Sequence, residues 1–246
     1  MHTDFYYIGH RGCRVNCDEN TLSAFNKALK CGANYIEFDI HKTADNKLII
    51  LHDMTLERTT DGFGYVNELF YNKILNSRTK VNQSKIPLLS EVIEFFENKK
   101  IQFIIELKGQ NIRPLLVEFL KDQSWSDKCI LSSRNLSELY KLKSELPKSQ
   151  ICYNITKGVG LTLEQLYEQK KIPNQITFLS LDSHLINQEF INICHRQNVL
   201  AFSWNFINYI KPIEKIKSLI SIGIDGILFD DCRNIIPIKN WIKAKH

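Results

Sequence analysis

The feature that most constrains this chain is an alternation of short apolar runs with helical patterns, which continues nearly to its end. Such alternation is typical of βα units built around a parallel sheet. Eight strand-helix repeats favour an α/β fold with a closed (β/α)8 or TIM barrel over an open doubly wound sheet. No glycine-rich dinucleotide fingerprint or phosphate-binding loop favours the open sheet. Strands are predicted near residues 5–9, 34–40, 101–107, 128–132, 150–154, 176–181, 199–204 and 226–230.

Several of the predicted helices carry terminal signals in the sequence. Asn20 is a candidate to cap the first helix. Thr162 and Gln165 have the spacing of a capping box, and Pro212 suits the first turn of its helix. Helices are predicted near residues 20–31, 90–99, 112–121, 135–145, 162–170, 187–197, 211–222 and 234–244.

One connection is far longer than an ordinary βα loop, because about 50 residues separate the second strand from the next predicted helix. Its start predicts a hairpin, in which residues 40–43 and 47–51 pair across a turn at 44–46. Since a hairpin places its ends level, we expect His52 to return beside Asp39. The barrel should therefore carry a hairpin and an insertion after its second strand.

Residues 54–87 within this insertion are rich in turn residues, and we expect them to cover the barrel mouth. No repeat, linker or low-complexity tract suggests a second independent domain. A chain of 246 residues can bury one substantial core. We therefore predict a single barrel domain over residues 1–246, with the insertion at about 40–89.

Charge and hydropathy exclude several classes of partner. The formal net charge is +5 without a dense basic block, which indicates mild attraction for anionic small molecules and no nucleic-acid footprint. No apolar run approaches the roughly 20 residues that a membrane-spanning helix needs, so we expect no stable membrane insertion. Met1–Asp4 leads straight into a strand-like run, and we expect no signal peptide.

The cysteines indicate a reducing compartment. They are odd in number, and Cys13 and Cys17 lack a second pair at zinc-ligand spacing. Scattered cysteines of this kind are typical of reduced thiols in a cytoplasmic protein. The seven positions are Cys13, Cys17, Cys31, Cys129, Cys152, Cys194 and Cys232.

Ionisable side chains stand at the ends of several predicted strands. Glu37 and Asp39 are two residues apart, so they share one face of a strand, and Glu106 and Lys108 repeat this spacing. In a barrel the active site lies at the carboxyl ends of the strands. We therefore expect one rim to collect seven polar residues: His10, Arg11, Glu37, Asp39, His52, Glu106 and Lys108.

These residue types predict a particular chemistry. Three carboxylates with room for water suit one Ca²⁺ or Mg²⁺ ion better than zinc, which prefers nitrogen or sulfur donors. Arg11 and Lys108 beside a divalent cation suit a phosphate group. His10 and His52 titrate near neutral pH, so they are candidates for the general base and general acid.

Each of these features also has a structural interpretation. A Glu-x-Asp pair on a strand can be a salt-bridged pair at an edge rather than a metal site. Glu106 and Lys108 can form an ion pair that caps the barrel, and His10 and His52 can be structural histidines. The convergence of complementary groups from several strand ends favours a functional site.

A series of short motifs runs in order along nearly the whole chain. The motifs are His10-Arg11-Gly12, Glu19-Asn20-Thr21, Glu37-Phe38-Asp39, Leu51-His52-Asp53, Asp61-Gly62, Ile86-Pro87-Leu88-Leu89, Ile105-Glu106-Leu107-Lys108, Trp204 and Asp225-Gly226-Ile227. In this order they resemble the glycerophosphodiester phosphodiesterase family. The resemblance implies a TIM barrel with an insertion after strand two. It also implies metal-dependent hydrolysis of glycerophosphodiesters, such as glycerophosphocholine or glycerophosphoethanolamine, to glycerol 3-phosphate and an alcohol.

Carried over by position, the resemblance implies a role for each candidate residue. His10 and His52 match the acid/base pair, and Arg11 and Lys108 match the phosphate-binding positions. Trp204 matches an aromatic that lines the substrate pocket, although a buried barrel tryptophan is the alternative. The implied metal ligands are Glu37, Asp39 and Glu106.

The sequence departs from the family pattern at two places. Asp18 stands where the family usually has proline before Glu-Asn-Thr, and an acidic residue there is compatible with helix capping. After the tryptophan, Asn205-Phe206-Ile207 replaces the family's Thr-Val-Asn. The second departure leaves the head-group preference open.

Two other functions are compatible with these residues. A phospholipase D- or C-like enzyme would act on intact or lyso-phospholipid. No exposed aromatic or basic membrane-docking segment is evident in the sequence, and the insertion at residues 54–87 is the one place where such a segment can be hidden. A catalytically silent barrel that binds a phosphate ester is the alternative that is not an enzyme. The sequence leaves open the native cation, the roles of the two histidines and the oligomeric state.

Overall fold

The structure is a computed structural model that describes residues 5–122, 125–156 and 160–245. Eight parallel strands form a closed barrel, because the first strand pairs with both the second and the last. All eight predicted strands are confirmed. The strands are β1 Tyr6–Gly9, β2 Tyr35–Lys42, β3 Leu48–Ile50, β4 Gln102–Leu107, β5 Cys129–Ser133, β6 Gln150–Asn154, β7 Phe178–Asp182, β8 Leu200–Trp204 and β9 Gly226–Phe229, of which β3 lies outside the barrel.

Helices alternate with the strands as the sequence predicts, and one short additional helix lies in the insertion. Both bonds of the capping box between Thr162 and Gln165 are present, and Pro212 opens its helix. Short 3-10 turns cover Val66–Glu68 and Cys232–Asn234. The helices are α1 Leu22–Lys30, α2 Tyr71–Ile74, α3 Leu89–Phe96, α4 Arg113–Asp122, α5 Leu136–Glu145, α6 Leu163–Gln169, α7 Gln188–Arg196, α8 Pro212–Ser221 and α9 Ile235–Lys243.

The prediction that Asn20 caps α1 is wrong by one residue. Thr21 is the cap, and its hydroxyl oxygen accepts a hydrogen bond from the amide of Ala24. Asn20 adopts a left-handed φ of 59° and directs its side chain to Asp39 instead. Asn20 and Thr21 are both residue types that can cap a helix, so the sequence alone does not show which of them does. The choice depends on Asp39, which binds the Asn20 side chain across the barrel rim.

The pleat of the strands divides the core into two layers. Outward-facing residues such as Phe38 and Phe103 pack against the helices, in a large apolar cluster. Inward-facing residues such as Phe178 and Phe202 fill the lower barrel. Alternate residues of a strand point to opposite faces, so the polar residues that follow this inner layer are also directed into the barrel.

The predicted hairpin after β2 is confirmed. Strand β3 runs antiparallel to the end of β2, with Ile40 opposite Ile50 and Lys42 opposite Leu48. The amide of Leu51 donates to the carbonyl of Asp39 at 3.0 Å, which places the following residue, His52, beside the end of β2.

The rest of the insertion has its own apolar cluster, which includes Leu56, Val66 and Ile74. Asp18, which lies in the loop after β1, fixes the insertion to this loop. Its carboxylate accepts hydrogen bonds from the Thr79 hydroxyl and from the amides of residues 81 and 82. The departure from proline at Asp18 therefore serves this tertiary contact, and no helix-capping bond uses its carboxylate.

The prediction that all cysteines are reduced is wrong for two of them. Cys13 and Cys232 form a disulfide across 219 residues of sequence. They meet because Cys13 follows β1, Cys232 follows β9, and these two strands are neighbours. Sequence spacing cannot reveal this pairing, since barrel closure alone makes the two loops adjacent. The other five cysteines are free.

In the part of the chain that the structure describes, no helix has both the length and the apolar character to cross a membrane. Met1–Asp4, where the sequence suggests no signal peptide, lies outside the described residues.

Candidate active site at the barrel mouth

The residues predicted from the sequence converge at the carboxyl ends of the barrel strands. They surround a cavity of about 380 Å³. Asp39 is fully buried just behind the cavity wall. Seven of the eight candidates line the cavity itself: His10, Arg11, Glu37, His52, Glu106, Lys108 and Trp204.

Three carboxylates from two adjacent strands form an acidic cluster. Asp39 of β2 lies opposite Glu106 of β4 in the parallel register, and Glu37 lies two residues before Asp39. One oxygen from each of the three lies within 4.8 Å of the others. Glu37 Oε1 and Asp39 Oδ1 are buried without a hydrogen-bond partner. Because buried oxygens normally accept hydrogen bonds, these two carboxylate oxygens without a hydrogen-bond donor indicate that the acidic cluster can hold a metal ion.

The electrostatics of the acidic cluster support this conclusion. Burial raises the pKa of Glu37 well above its usual range, and the charges of Asp39 and Glu106 raise it further. Burial alone would also raise the pKa of Asp39, but Lys108 and Arg11 outweigh it and hold that pKa below its usual range. The protein's own cations therefore offset only part of the negative charge.

Lys108 forms the ion pair with Glu106 that the structural interpretation predicted. Its ammonium lies 2.7 Å from Glu106 Oε1 and 3.2 Å from Asp39 Oδ1. Burial lowers the pKa of Lys108, but these two carboxylates raise it above its ordinary value. The ion pair faces the cavity, so Lys108 is available to an anion bound there.

Arg11 is held by its backbone and its side chain together. Its φ is 49°, a left-handed conformation that is uncommon outside glycine. The amide of Arg11 donates to Glu37 Oε2 at 2.9 Å, and its guanidinium donates to Glu19 at 2.8 Å. The Arg11 Nε atom lies 3.3 Å from Asp39 Oδ2 without a hydrogen bond. A buried guanidinium with an unpaired N–H suits an anionic ligand.

His10 is oriented by a buried carboxylate that the sequence analysis did not select. His10 Nδ1 lies 2.6 Å from Asp230 Oδ1, and His10 Nε2 lies 4.0 Å from Glu37 Oε2. Burial lowers the pKa of His10, and Asp230 partly opposes this effect. Neutral His10 donates its Nδ1–H to Asp230. Its Nε2 atom is therefore unprotonated and faces the acidic cluster.

His52 has the same arrangement on the other side of the cavity. His52 Nδ1 lies 2.6 Å from Asp53 Oδ1, and Arg58 binds the same carboxylate. Burial lowers the pKa of His52, while Asp39 raises it. Arg58 also donates to Glu19, which binds Arg11. A chain of ion pairs thus joins the insertion to the loop after β1.

Asp230, Asn20 and Arg58 are functional candidates that the sequence reasoning missed. Asp230 follows the last barrel strand, so the rule that active sites lie at strand carboxyl ends could have found it. Asn20 lies in the Glu-Asn-Thr motif, and its amide donates to Asp39 Oδ2 at 2.9 Å. Arg58 carries no sequence signal beyond its place in the insertion.

Trp204 ends β8 and lines part of the cavity. Asn205 follows with a left-handed φ of 71° and donates to Asp182 at 2.8 Å. The backbone amide of Phe206, one of the residues that depart from the family pattern, donates to Asp230 Oδ2 at 2.6 Å and helps to hold it.

Known proteins resemble this chain in sequence. Residues 10–233 match the Glycerophosphoryl diester phosphodiesterase family. A glycerophosphodiester phosphodiesterase of Caldanaerobacter subterraneus subsp. tengcongensis is 29% identical over 249 residues, which cover 94% of this chain and 96% of that protein. A protein of the same name from Bacillus altitudinis is 27% identical over 254 residues, with 96% and 98% covered.

Solved structures share the fold. A glycerophosphodiester phosphodiesterase from Thermotoga maritima superimposes with a TM-score of 0.77 at 22% identity, covering 97% of this chain and all of that one. An Oleispira antarctica phosphodiesterase, solved with the product sn-glycerol-3-phosphate, has a TM-score of 0.79 at 20% identity, with 96% of each chain covered. The match extends over nearly the whole sequence, and the chain therefore belongs to the glycerophosphoryl diester phosphodiesterase family.

Proposed function

We propose that this protein hydrolyses glycerophosphodiesters to glycerol 3-phosphate and an alcohol, in a reaction that depends on a divalent cation. The observation that carries the proposal is a pair of imidazoles at one acidic cluster, His10 and His52, each with a carboxylate on its Nδ1 atom. Glycerophosphocholine and glycerophosphoethanolamine are the substrates to test first. The product found in the Oleispira antarctica relative supports this substrate class.

We propose that Glu37, Asp39 and Glu106 hold one Ca²⁺ or Mg²⁺ ion. Oxygen-only ligation and the two carboxylate oxygens that lack a hydrogen-bond donor fit these hard cations. Bound there, the ion would supply Lewis-acid polarisation of a phosphoryl oxygen. Asn20 keeps Asp39 in place through its amide, and the amide of Arg11 does the same for Glu37.

In this proposal the two histidines move the protons. One imidazole takes the proton of the nucleophile, and the other protonates the departing alcohol. The nucleophile is water, or it is the substrate's own glycerol hydroxyl, which forms a cyclic phosphate that water then opens to glycerol 3-phosphate. Both rings have their Nδ1 atoms engaged by carboxylates, so Nε2 is the atom that exchanges protons. Arg11 and Lys108 bind the phosphoryl oxygens and stabilise the charge that develops on them. Trp204 lines the pocket for the rest of the substrate.

Replacement of each histidine tests this assignment. His10→Ala and His52→Ala should each lower kcat by roughly 10²–10⁴-fold, the usual scale of acid-base catalysis. The assay couples release of glycerol 3-phosphate from glycerophosphocholine to a dehydrogenase, with saturating Ca²⁺ or Mg²⁺. His195→Gln is the matched control, because His195 lies on α7 and pairs with Asp225 outside the cavity. Near-wild-type turnover in both alanine variants would contradict the proposal.

One observation supports a lipid substrate as the second candidate function. The insertion exposes apolar side chains beside the mouth, among them Met54, which is 66% exposed, and Phe63, which is 83% exposed. Thr55 and Tyr65 form a small antiparallel bridge, and the amide of Val66 donates to the carbonyl of Met54, which lies two residues after His52. Exposed apolar groups of this kind suit contact with a lipid surface. Faster hydrolysis of lysophospholipid vesicles than of glycerophosphocholine would favour this alternative.

We further propose that residues 1–246 form one domain with its insertion at about 40–89. The apolar clusters of the barrel and the insertion, together with the Asp18 contacts, support this. We also propose a cytoplasmic location, which the five free cysteines support. Limited proteolysis and cell fractionation test the two statements.

A further inference from the structure

Four cysteines gather where the loops after β1 and β9 meet the C-terminal end of α1, and the proposed reaction uses none of them. Cys13 and Cys232 form the disulfide, and Cys31 Sγ lies 3.1 Å from Cys232 Sγ. The amide of Cys17 donates to the carbonyl of Cys13, so Cys17 lies one turn further along the same loop. We call these four residues the sulfur cluster.

Cys31 is in position to exchange with the disulfide. Thiol-disulfide exchange begins when a thiolate attacks one sulfur of a disulfide and displaces the other. Cys31 Sγ touches Cys232 Sγ, so Cys232 would be the sulfur attacked and Cys13 the sulfur released. The amide of Cys232 donates to Cys13 Sγ at 3.3 Å, and such a bond stabilises the released thiolate.

We propose that the sulfur cluster is a thiol-disulfide exchange site, with Cys31 as its internal nucleophile and a small dithiol or disulfide as its external reactant. In the exchange the Cys13–Cys232 bond breaks, a Cys31–Cys232 bond forms, and Cys13 takes up the proton that Cys31 gives up. The oxidation state is unchanged in this step. A dithiol then reduces the Cys31–Cys232 bond and leaves as its own disulfide, which leaves three thiols in the protein.

Burial explains why an internal nucleophile is needed. Cys13 and Cys232 are both fully buried, whereas Cys31 retains 8% exposure. An external thiol therefore has no direct path to the resting disulfide. Exchange transfers the bond to a pair that includes Cys31, which is the more exposed residue of the three. Cys17, which is more exposed still, lies at the edge of the sulfur cluster.

The surroundings of Cys31 make thiol-disulfide exchange slow in the resting protein. Burial raises the pKa of the Cys31 thiol, Lys27 of α1 lowers it in part, and Asp231 and Arg233 from the loop after β9 act in opposite directions. Most of Cys31 is therefore a thiol at neutral pH. In reducing compartments the disulfides that do occur are usually transient and redox-sensing, which fits a slow exchange site.

The disulfide also connects the sulfur cluster to the catalytic candidates. Cys13 lies three residues after His10, and Cys232 lies two residues after Asp230. Reduction removes the covalent link between the loops that hold this pair, so the His10 ring is held less firmly. This effect on hydrolysis rests on the proposed function, whereas the exchange itself does not.

The first test measures how fast the native protein's disulfide is reduced by dithiothreitol. Samples are quenched with iodoacetamide and the Cys13–Cys232 bond is followed by mass spectrometry. Cys31→Ser and Cys31→Ala should each slow reduction by about tenfold or more, because an intramolecular nucleophile has a large effective concentration. Cys194→Ser is the matched control, since Cys194 is a buried free cysteine of α7. Reduction at the wild-type rate in a folded Cys31 variant would overturn the proposal.

A second variant keeps the proposal testable if both Cys31 variants misfold. Cys13→Ser treated with oxidised glutathione should form the Cys31–Cys232 disulfide and release two molecules of reduced glutathione per bond. Failure to form this bond, or a stoichiometric zinc ion held by these sulfurs in the purified protein, would overturn the exchange site.

Activity separates this inference from the proposed function. Reduced wild-type protein should hydrolyse glycerophosphocholine with a kcat about tenfold lower than the oxidised protein, the scale expected when one hydrogen bond of a catalytic group is weakened. Equal kcat values in the two states would overturn the link to catalysis. If both states are inactive, the proposed function fails, and the reduction rates still decide whether the exchange site exists.

Discussion

Replacement of Asp230 by asparagine is the sharpest test of the proposed role of His10. The carboxylate accepts the His10 Nδ1 proton at 2.6 Å, and its other oxygen accepts the amide of Phe206. In the Asp230→Asn variant the side-chain oxygen can keep the bond from Phe206, which leaves the new NH₂ group facing His10. His10 Nδ1 must then accept, so the ring proton moves to Nε2, the atom that faces the acidic cluster.

The magnitude follows from two losses. A hydrogen bond to a charged group contributes about 1.5–3 kcal/mol, which corresponds to a factor of roughly 10–10² in rate if the bond holds the reacting geometry. The wrong tautomer removes proton transfer as well, and acid-base catalysis is worth about 10²–10⁴-fold. We therefore expect Asp230→Asn to lower kcat by about 10²–10⁴-fold with little change in KM.

The pH profile gives a second readout that a merely structural role would not move. Burial lowers the pKa of His10, and Asp230 opposes this, so removal of the Asp230 charge should lower the pKa further. If His10 is the base, the acid limb of kcat moves to lower pH. If His10 is the acid, the alkaline limb moves to lower pH. The limb that reports His10 therefore shifts downward in either case.

Asp231→Asn is the matched control for this experiment. Asp231 is the next residue and binds Arg233 and Asn16 at the surface, without contact to His10. It should leave kcat and both limbs close to wild type. Wild-type kcat together with an unshifted profile in a folded Asp230→Asn protein would refute the reasoning.

Three further predictions follow from the same geometry. A chelator should abolish release of glycerol 3-phosphate, and readdition of Ca²⁺ or Mg²⁺ should restore it; activity that survives exhaustive chelation would exclude the proposed cation. Burial raises the pKa of Glu37 above its ordinary value of 4.5, so the metal-free protein should lose stability as pH rises through that raised pKa. Glu37→Gln should remove this loss when the unfolding temperature is measured as pH rises above 4.5, and an unchanged dependence of that temperature on pH would contradict the assigned burial. Gly12→Ala should lower the free energy of unfolding in urea by about 1–3 kcal/mol more than Gly64→Ala does. Both glycines have a positive φ, but only at Gly12 would the added Cβ lie 2.6 Å from the α1 backbone. Equal losses of unfolding free energy would count against this close approach.

The order of the strands and helices was readable from local patterns. Apolar runs of period two and amphipathic helices depend on neighbouring residues alone, so all eight barrel strands lie where the sequence predicts them. The hairpin was equally local, since it depends on a turn and two short flanking segments. The rule that barrel sites lie at strand carboxyl ends then brought Glu37, Asp39 and Glu106 to one rim.

The sequence by itself therefore determined the barrel, its insertion and the set of acids, histidines and cations at its mouth. Only the tertiary structure decided which carboxylate binds each histidine ring and which cysteines form the disulfide. Asp230 reaches His10 across 220 residues, and Cys13 reaches Cys232 across 219, because β1 and β9 become neighbours when the barrel closes. The physical reason is that strand periodicity is a local property, whereas closure is a long-range pairing that leaves no mark on the spacing of either segment.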